Sequence, residues 1–134
     1  MLRLEVAALY AGVNILILLV LAVLVVSGRR KHKITLGHGD HEGFTRAVRA
    51  HANAAEYIPA GLAGITLLAL FDPATPFWLL HAAGISLTLG RILHGWGLHT
   101  GTLNFGRVFG TILTWTSYAL IGGGLIWAGL AQQL

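Results

Sequence analysis

Phe44-Thr-Arg46-Ala-Val-Arg49-Ala-His51-Ala-Asn53-Ala-Ala-Glu56-Tyr57-Ile-Pro59 leads without a break into an apolar run that continues to Leu70. At about 100° per residue, Arg46, Arg49, Asn53, Glu56 and Tyr57 fall within roughly a third of a helix circumference, and His51 falls nearly opposite. Ionisable groups entering a bilayer are costly, so a stripe of them normally faces a protein-lined cavity and marks a site. This helix therefore predicts both a membrane protein and the place where it works.

Composition supports the first half of that reading. The chain has 134 residues, is 55% hydrophobic and 10% charged, and has a mean hydropathy of +0.72. A soluble domain carries about 25% charged residues. The length allows one domain, residues 1–134. The formal charge of +4 is not arranged as a basic face on a soluble fold, which argues against nucleic acid as a partner. With no cysteine, disulfides, thiolate metal sites and a cysteine nucleophile are excluded. The first apolar run, Val6 to Ser27, follows Arg3 and Glu5, is too long for a signal-peptide core and lacks a small-residue cleavage site. It reads as a retained span.

Crossing the hydrocarbon takes about 20 residues of helix. Four segments qualify, at about 5–27, 43–70, 75–99 and 105–131, giving an all-α integral membrane fold with four helices in an up-down bundle. The first is almost purely aliphatic apart from Asn14, which fits an interhelical hydrogen bond. Asp72-Pro-Ala-Thr-Pro76 reads as a tight turn between spans two and three. Asn104 is placed to cap span four, and Gly122-Gly123-Gly124 would allow close helix approach or a bend. Eight of the nine Lys and Arg residues (Arg29, Arg30, Lys31, Lys33, Arg46, Arg49, Arg91, Arg107) lie in or nearest the loops after spans one and three. The positive-inside rule then puts those loops in the cytoplasm and both termini outside.

The same asymmetry gathers chemistry. Arg29 and Arg30 end span one, Arg46 and Arg49 begin span two, Arg107 begins span four, and Arg91 lies two turns inside span three. Arginine offers planar, bidentate donors suited to carboxylates and phosphates. Glu56, as the acid within a span, would hold a ligand ammonium or neutralise an arginine, while Asn53 and Tyr57 add polar contacts at its depth. Such a set suits a small zwitterionic ligand with more than one carboxylate. Blander roles stand beside it. Arg29 to Lys33 reads equally as a stop-transfer cluster at anionic headgroups, Arg46 as a snorkelling side chain, and Arg49, Asn53 and Glu56 as an internal network locking the bundle.

Taken as a string, Phe44-x-Arg46-x-x-Arg49-Ala50-x-x-Asn53-x-x-Glu56-Tyr57-x-Pro59 resembles the signature of the MAPEG superfamily, the membrane-associated proteins in eicosanoid and glutathione metabolism. Ser27-Gly28-Arg29-Arg30, Gly90-Arg91-Ile92-Leu93-His94-Gly95-Trp96-Gly97, and Arg107 with Gly110 look like that family's other helix segments in register. The pattern is most similar to a bacterial inner-membrane branch. The resemblance implies a homotrimer of four-helix subunits with glutathione as co-substrate, bound between neighbours at the cytoplasmic side. It assigns binding roles to Arg29, Arg49, Asn53, Glu56 and Tyr57, places His51 where relatives contact the ligand from the adjacent subunit, and makes Arg107 the thiolate-stabilising residue assisted by Arg30. Arg46 joins the binding set by its place at the mouth. An arginine beside a thiol raises the thiolate fraction, the form that attacks electrophiles. Lipophilic small molecules or lipids would arrive laterally from the bilayer. One departure is that some relatives carry tyrosines on helix three where this chain has Ile92 and Trp96.

The chain carries seven histidines. His38-Gly-Asp40-His41-Glu42 has metal-like composition but sits in a Gly-flanked polar loop, so no metal site is assigned. His94 and His99, five apart, share a helix face poorly. Two competing classes are a non-catalytic lipid-binding or scaffold trimer of the same architecture, and a haem b subunit using His51 and His94. The haem reading leaves the arginine–glutamate stripe unexplained. The expectation is thus a glutathione-binding membrane protein, a transferase- or peroxidase-like enzyme for hydrophobic electrophiles.

Overall fold

The computed structural model describes residues 2–71, 75–101 and 103–131. Four helices follow in order: α1 (Leu2–His32), α2 (Glu42–Leu70), α3 (Phe77–Thr100) and α4 (Phe105–Ala131). The α4 bounds match the expected span, whereas α1 runs three residues further at its start and five at its end. The reason is local: Arg3 and Glu5, and then Arg29 to His32, extend the helix beyond the apolar run, and the last four are basic residues that favour a helix C-terminus. By length and composition α1, α2 and α4 can each cross a membrane. α3 has 24 residues but carries His81, Arg91, His94 and His99 among its apolar side chains. The expected turn at 72–76 lies largely outside the described residues, which omit 72–74. On its far side Pro76 caps α3, with the Leu79 N–H donating to its carbonyl at 3.0 Å.

Side-chain pairs fix the directions. Tyr10 Oη lies 3.0 Å from His81 Nδ1, Asn14 Nδ2 donates to Thr88 Oγ1 at 2.8 Å, and Leu21 packs at Gly95, so α1 and α3 run parallel. Tyr57 meets Tyr118, and Gly64 meets Ile121, so α2 and α4 run parallel to each other and opposite to the first pair. The expected bond from Asn14 is therefore present. α1 packs on α2 and α3 and makes no contact with α4. Its other face leaves Ile15, Leu19 and Val23 exposed, as a surface against lipid or protein requires.

Two apolar clusters fill the bundle. One joins Tyr10, Ile65, Leu68, Leu80, Leu87 and Ile121. The other, nearer the basic end, joins Leu21, Ala50, Ala54, Ile58 and Leu98. Between α3 and α4 the contact is backbone on backbone. A Cβ added at Gly110 would lie 2.5 Å from His94 N and 2.7 Å from Gly90 O, and one at Gly106 would lie 2.8 Å from Leu93 O. Small residues permit this approach, and in lipid packing replaces the missing hydrophobic drive between helices. The triplet expected to serve that purpose does so only at Gly124, against Leu68 and Leu79; Gly122 and Gly123 have no side-chain position contacted within 4 Å. Asn104 caps α4 as expected, its Oδ1 accepting the Arg107 N–H at 3.1 Å. Its Nδ2 also donates to Gly97 O at 2.7 Å and Thr100 Oγ1 at 3.0 Å, tying the two helix ends together.

Candidate functional site

The α1 C-terminus, α2 N-terminus, α3 C-terminus and α4 N-terminus share one end of the bundle, and the arginines collect there. A cavity of about 190 Å³ opens between α2, α3 and α4, lined by Arg46, Arg49, Asn53, His94 and Arg107 together with Thr45 and Leu98. Among the described residues no acidic side chain lines it. Each contributor is positioned by the seams just described. The α2 stripe lies at the edge of the buried face formed by Ala50, Ala54 and Ile58. Arg107 and His94 are held across the glycine contact of α4 with α3.

Directly beneath lies Arg91, which is 2% exposed. Its Nη1 donates to Asn53 Oδ1 at 2.6 Å, and its Nη2 donates to Thr114 Oγ1 and to Gly110 O at 3.5 Å. The guanidinium stands 5.0 Å from the centroid of the Tyr57 ring, which meets Tyr118 edge-on at 5.6 Å. Tyr118 Oη donates to Tyr57 O at 2.8 Å. Among the described residues no carboxylate pairs with Arg91, and its Nε is buried without a partner. A buried cation held only by dipoles and a ring face loses solvation that it does not recover in full. It therefore raises the positive potential of the cavity above it, because field lines spread through low dielectric.

The α2 stripe separates into two groups. Asn53 and Tyr57 turn inward onto Arg91, and Arg46 and Arg49 line the cavity. Arg46 is also bridged to Glu42 at 2.5 Å. Glu56 is exposed on the outer edge, as is much of Arg49. The internal network considered for Arg49, Asn53 and Glu56 is thus replaced by one centred on Arg91. His51 lies half-buried on the far flank of α2 and does not line the cavity. Arg29 reaches the interhelical loop, where its Nη1 donates to Thr35 O at 3.4 Å and Gly37 O at 3.3 Å, and its guanidinium lies 5.5 Å over the Phe44 ring. Arg30 is exposed at the end of α1, outside the cavity. Ile92 and Trp96, the positions of the departure on α3, face away from this cavity into a groove against α1. Arg91 and His94 were visible in the sequence as Gly-Arg-x-x-His, but their spacing alone did not place them at the centre. The i, i+3 relation that puts them on one helix face was the available signal.

Comparisons with known proteins identify the family. A family profile described as the MAPEG family matches residues 7–127. The chain is 31% identical over 122 residues to the inner membrane protein YecN of Escherichia coli strain K12, a match covering 91% of each chain. The same figures hold for the YecN of Escherichia coli O6:H1 strain CFT073. The matched region holds all four helices' facing segments, the α2 stripe, Arg91 and Arg107, and on these grounds the chain belongs to the MAPEG family.

Proposed function

We propose that this membrane protein binds glutathione at its arginine cavity and uses it, as a transferase- or peroxidase-like enzyme, against hydrophobic electrophiles at the cytoplasmic face of a bacterial inner membrane. The observation that carries the reading is the convergence of Arg46, Arg49 and Arg107 from two helices on one cavity without an acid, backed by buried Arg91. A tripeptide with two carboxylates and a thiol meets that field favourably. Guanidinium groups clamp carboxylates bidentately, and Arg107 at the thiol favours the thiolate over the thiol. His94, which lines the same cavity, offers an imidazole to the same ligand.

All four helices cross the bilayer in this reading, since α3 packs antiparallel to α4 along its length. The basic end then faces the cytoplasm. The cavity is smaller than the 300–1,000 Å³ or so that ligands of this kind occupy. Exposed Glu56, inside a span, is costly against lipid. Both features support completion of the site by a neighbouring copy in a homotrimer, with Arg29, Arg30 and His51 reaching the ligand across that boundary and Glu56 holding its ammonium.

Calorimetric titration of glutathione into detergent-purified protein tests this directly. Saturable binding that weakens about tenfold or more in Arg49→Ala and in Glu56→Gln is expected, since each removes a charge-assisted contact worth roughly 1.5–3 kcal/mol. Binding absent, or indifferent to both substitutions, refutes the glutathione reading. Binding without thiol conjugation to a generic electrophile, unchanged by Arg107→Ala, would leave a non-catalytic lipid-binding or scaffold protein of the same fold.

A further inference from the structure

Arg46 borders two spaces. It lines the arginine cavity with Arg49 and Asn53, and it also lines an outer polar chamber of about 450 Å³ at the basic end, where Glu42 stands. Its side chain lies back along its own helix. Nη1 donates to Glu42 Oε1, one turn earlier, at 2.5 Å, and Nη2 lies 3.9 Å from the position a Cβ would take on Gly43. The Nε is buried and has no acceptor. One nitrogen of the guanidinium fork is thus held by a carboxylate at the start of α2, while another goes unused beside the cavity.

The tether is weak. The Glu42 side chain is 73% exposed and that of Arg46 27%, and an exposed i, i+4 pair of this kind favours the paired state only about twofold. Released Glu42 also has somewhere to go. It sits in the first turn of α2, where a negative charge is favoured by the helix N-terminus, and Lys31 borders the same chamber. Arg49 and Asn53 lie one and two turns deeper on the same helix, so Arg46 is the outermost donor that α2 gives to the cavity.

We infer that Glu42 is an internal competitor for Arg46. Its carboxylate holds the guanidinium at the start of α2, and a ligand whose outer carboxylate reaches Arg46 must displace it. Glu42 thereby sets the affinity of the cavity for ligands with a carboxylate at its mouth. With the paired state favoured about twofold, Arg46 is free about a third of the time, and apparent affinity falls about threefold below that of the released site. The inference rests on the reading of the arginine cavity as a carboxylate site and not on the carboxylate being that of glutathione.

The test is calorimetric titration into the detergent-purified full chain at low ionic strength with two probes: glutathione, and citrate as a carboxylate ligand without thiol or ammonium. Glu42→Gln should tighten binding about threefold, and Arg46→Gln should weaken it several-fold. Adding Glu42→Gln to Arg46→Gln should then change nothing. This pattern with either probe sustains the inference. It is overturned if Glu42→Gln leaves affinity unchanged or lowers it. A gain that persists without Arg46 overturns it as well, since Glu42 would then act by plain repulsion of the ligand. In both of those cases saturable glutathione binding to the wild type leaves the glutathione reading standing. Citrate that follows the expected pattern, with no glutathione binding, keeps the competition and removes glutathione. No binding of either probe to any variant overturns both. Glu42 is exposed, so Glu42→Gln should match wild type in helical circular dichroism, and the comparison is between folded proteins.

Discussion

Replacing Gly110 with alanine should loosen the α3–α4 seam and, with it, the arginine cavity. The added Cβ would sit 2.5 Å from His94 N, 2.7 Å from Gly90 O and 2.8 Å from His94 Cα, all backbone atoms. Ordinary contact begins near 3.4 Å, so the helices must part by about 0.9 Å (3.4 − 2.5). Overpacking of this kind costs about 1–3 kcal/mol. Alanine returns up to about 1 kcal/mol of helix propensity relative to glycine. The balance is a destabilisation of roughly 1–2 kcal/mol, which lowers the folded-to-unfolded ratio by about 5- to 30-fold. Gly123→Ala is the internal control, since nothing lies within 4 Å of its added Cβ and only the propensity term applies. Equilibrium unfolding in mixed micelles, followed by helical circular dichroism, compares the two against wild type. Gly110→Ala should unfold first and Gly123→Ala no earlier than wild type. Because His94 and Arg107 face each other across the same seam, glutathione affinity should fall in Gly110→Ala alone. Unfolding of Gly110→Ala at or beyond the wild-type midpoint would refute the backbone-tight seam and the geometry built on it.

Three further expectations rest on single contacts. Arg91→Lys should destabilise by about 1–3 kcal/mol, because an ammonium cannot reach Asn53, Thr114 and Gly110 together; the same unfolding assay reads it, and Arg91→Lys equal to wild type would show that the fork geometry is idle. Asn104→Ala should lose about 0.5–2 kcal/mol as a lost cap, while Asn104→Asp keeps the Arg107 N–H bond but forfeits the donations to Gly97 and Thr100 and falls in between. A double-mutant cycle on Asn14→Ala and Thr88→Ala should return a coupling near 0.6 kcal/mol, the typical size for interhelical hydrogen bonds in membranes; a coupling of zero would mean that the pair does not hold α1 to α3.

The four helices were legible because hydrophobicity and turn chemistry are local. The start of α4 was placed to the residue because Asn104 caps it. The site was legible in part for a related reason. A 3.6-residue period shows which α2 side chains share a face, and this grouped Arg46, Arg49 and Asn53 correctly beside the cavity. The same period could not show where that face ends. Asn53 and Tyr57 turn inward and Glu56 outward, although Glu56 and Tyr57 are neighbours, because α2 is rotated by the burial of Ala54, Ile58 and Gly61.

What the chain's order of residues establishes is therefore membrane insertion, helix number, family and the end of the bundle that carries the charge. Each follows from properties of a residue and its near neighbours. The tertiary structure alone puts Arg91 at the centre of the candidate site, since its partners Asn53 and Thr114 lie 38 and 23 residues away on other helices. It also turns Ile92 and Trp96 from the arginine cavity to the apolar groove, and it assigns close packing to Gly90, Gly106 and Gly110 rather than to Gly122 and Gly123. The physical reason is the same in each case. Rotation of a helix about its axis is set by which small residues let a neighbouring backbone come near, and that choice is made between segments distant in the chain.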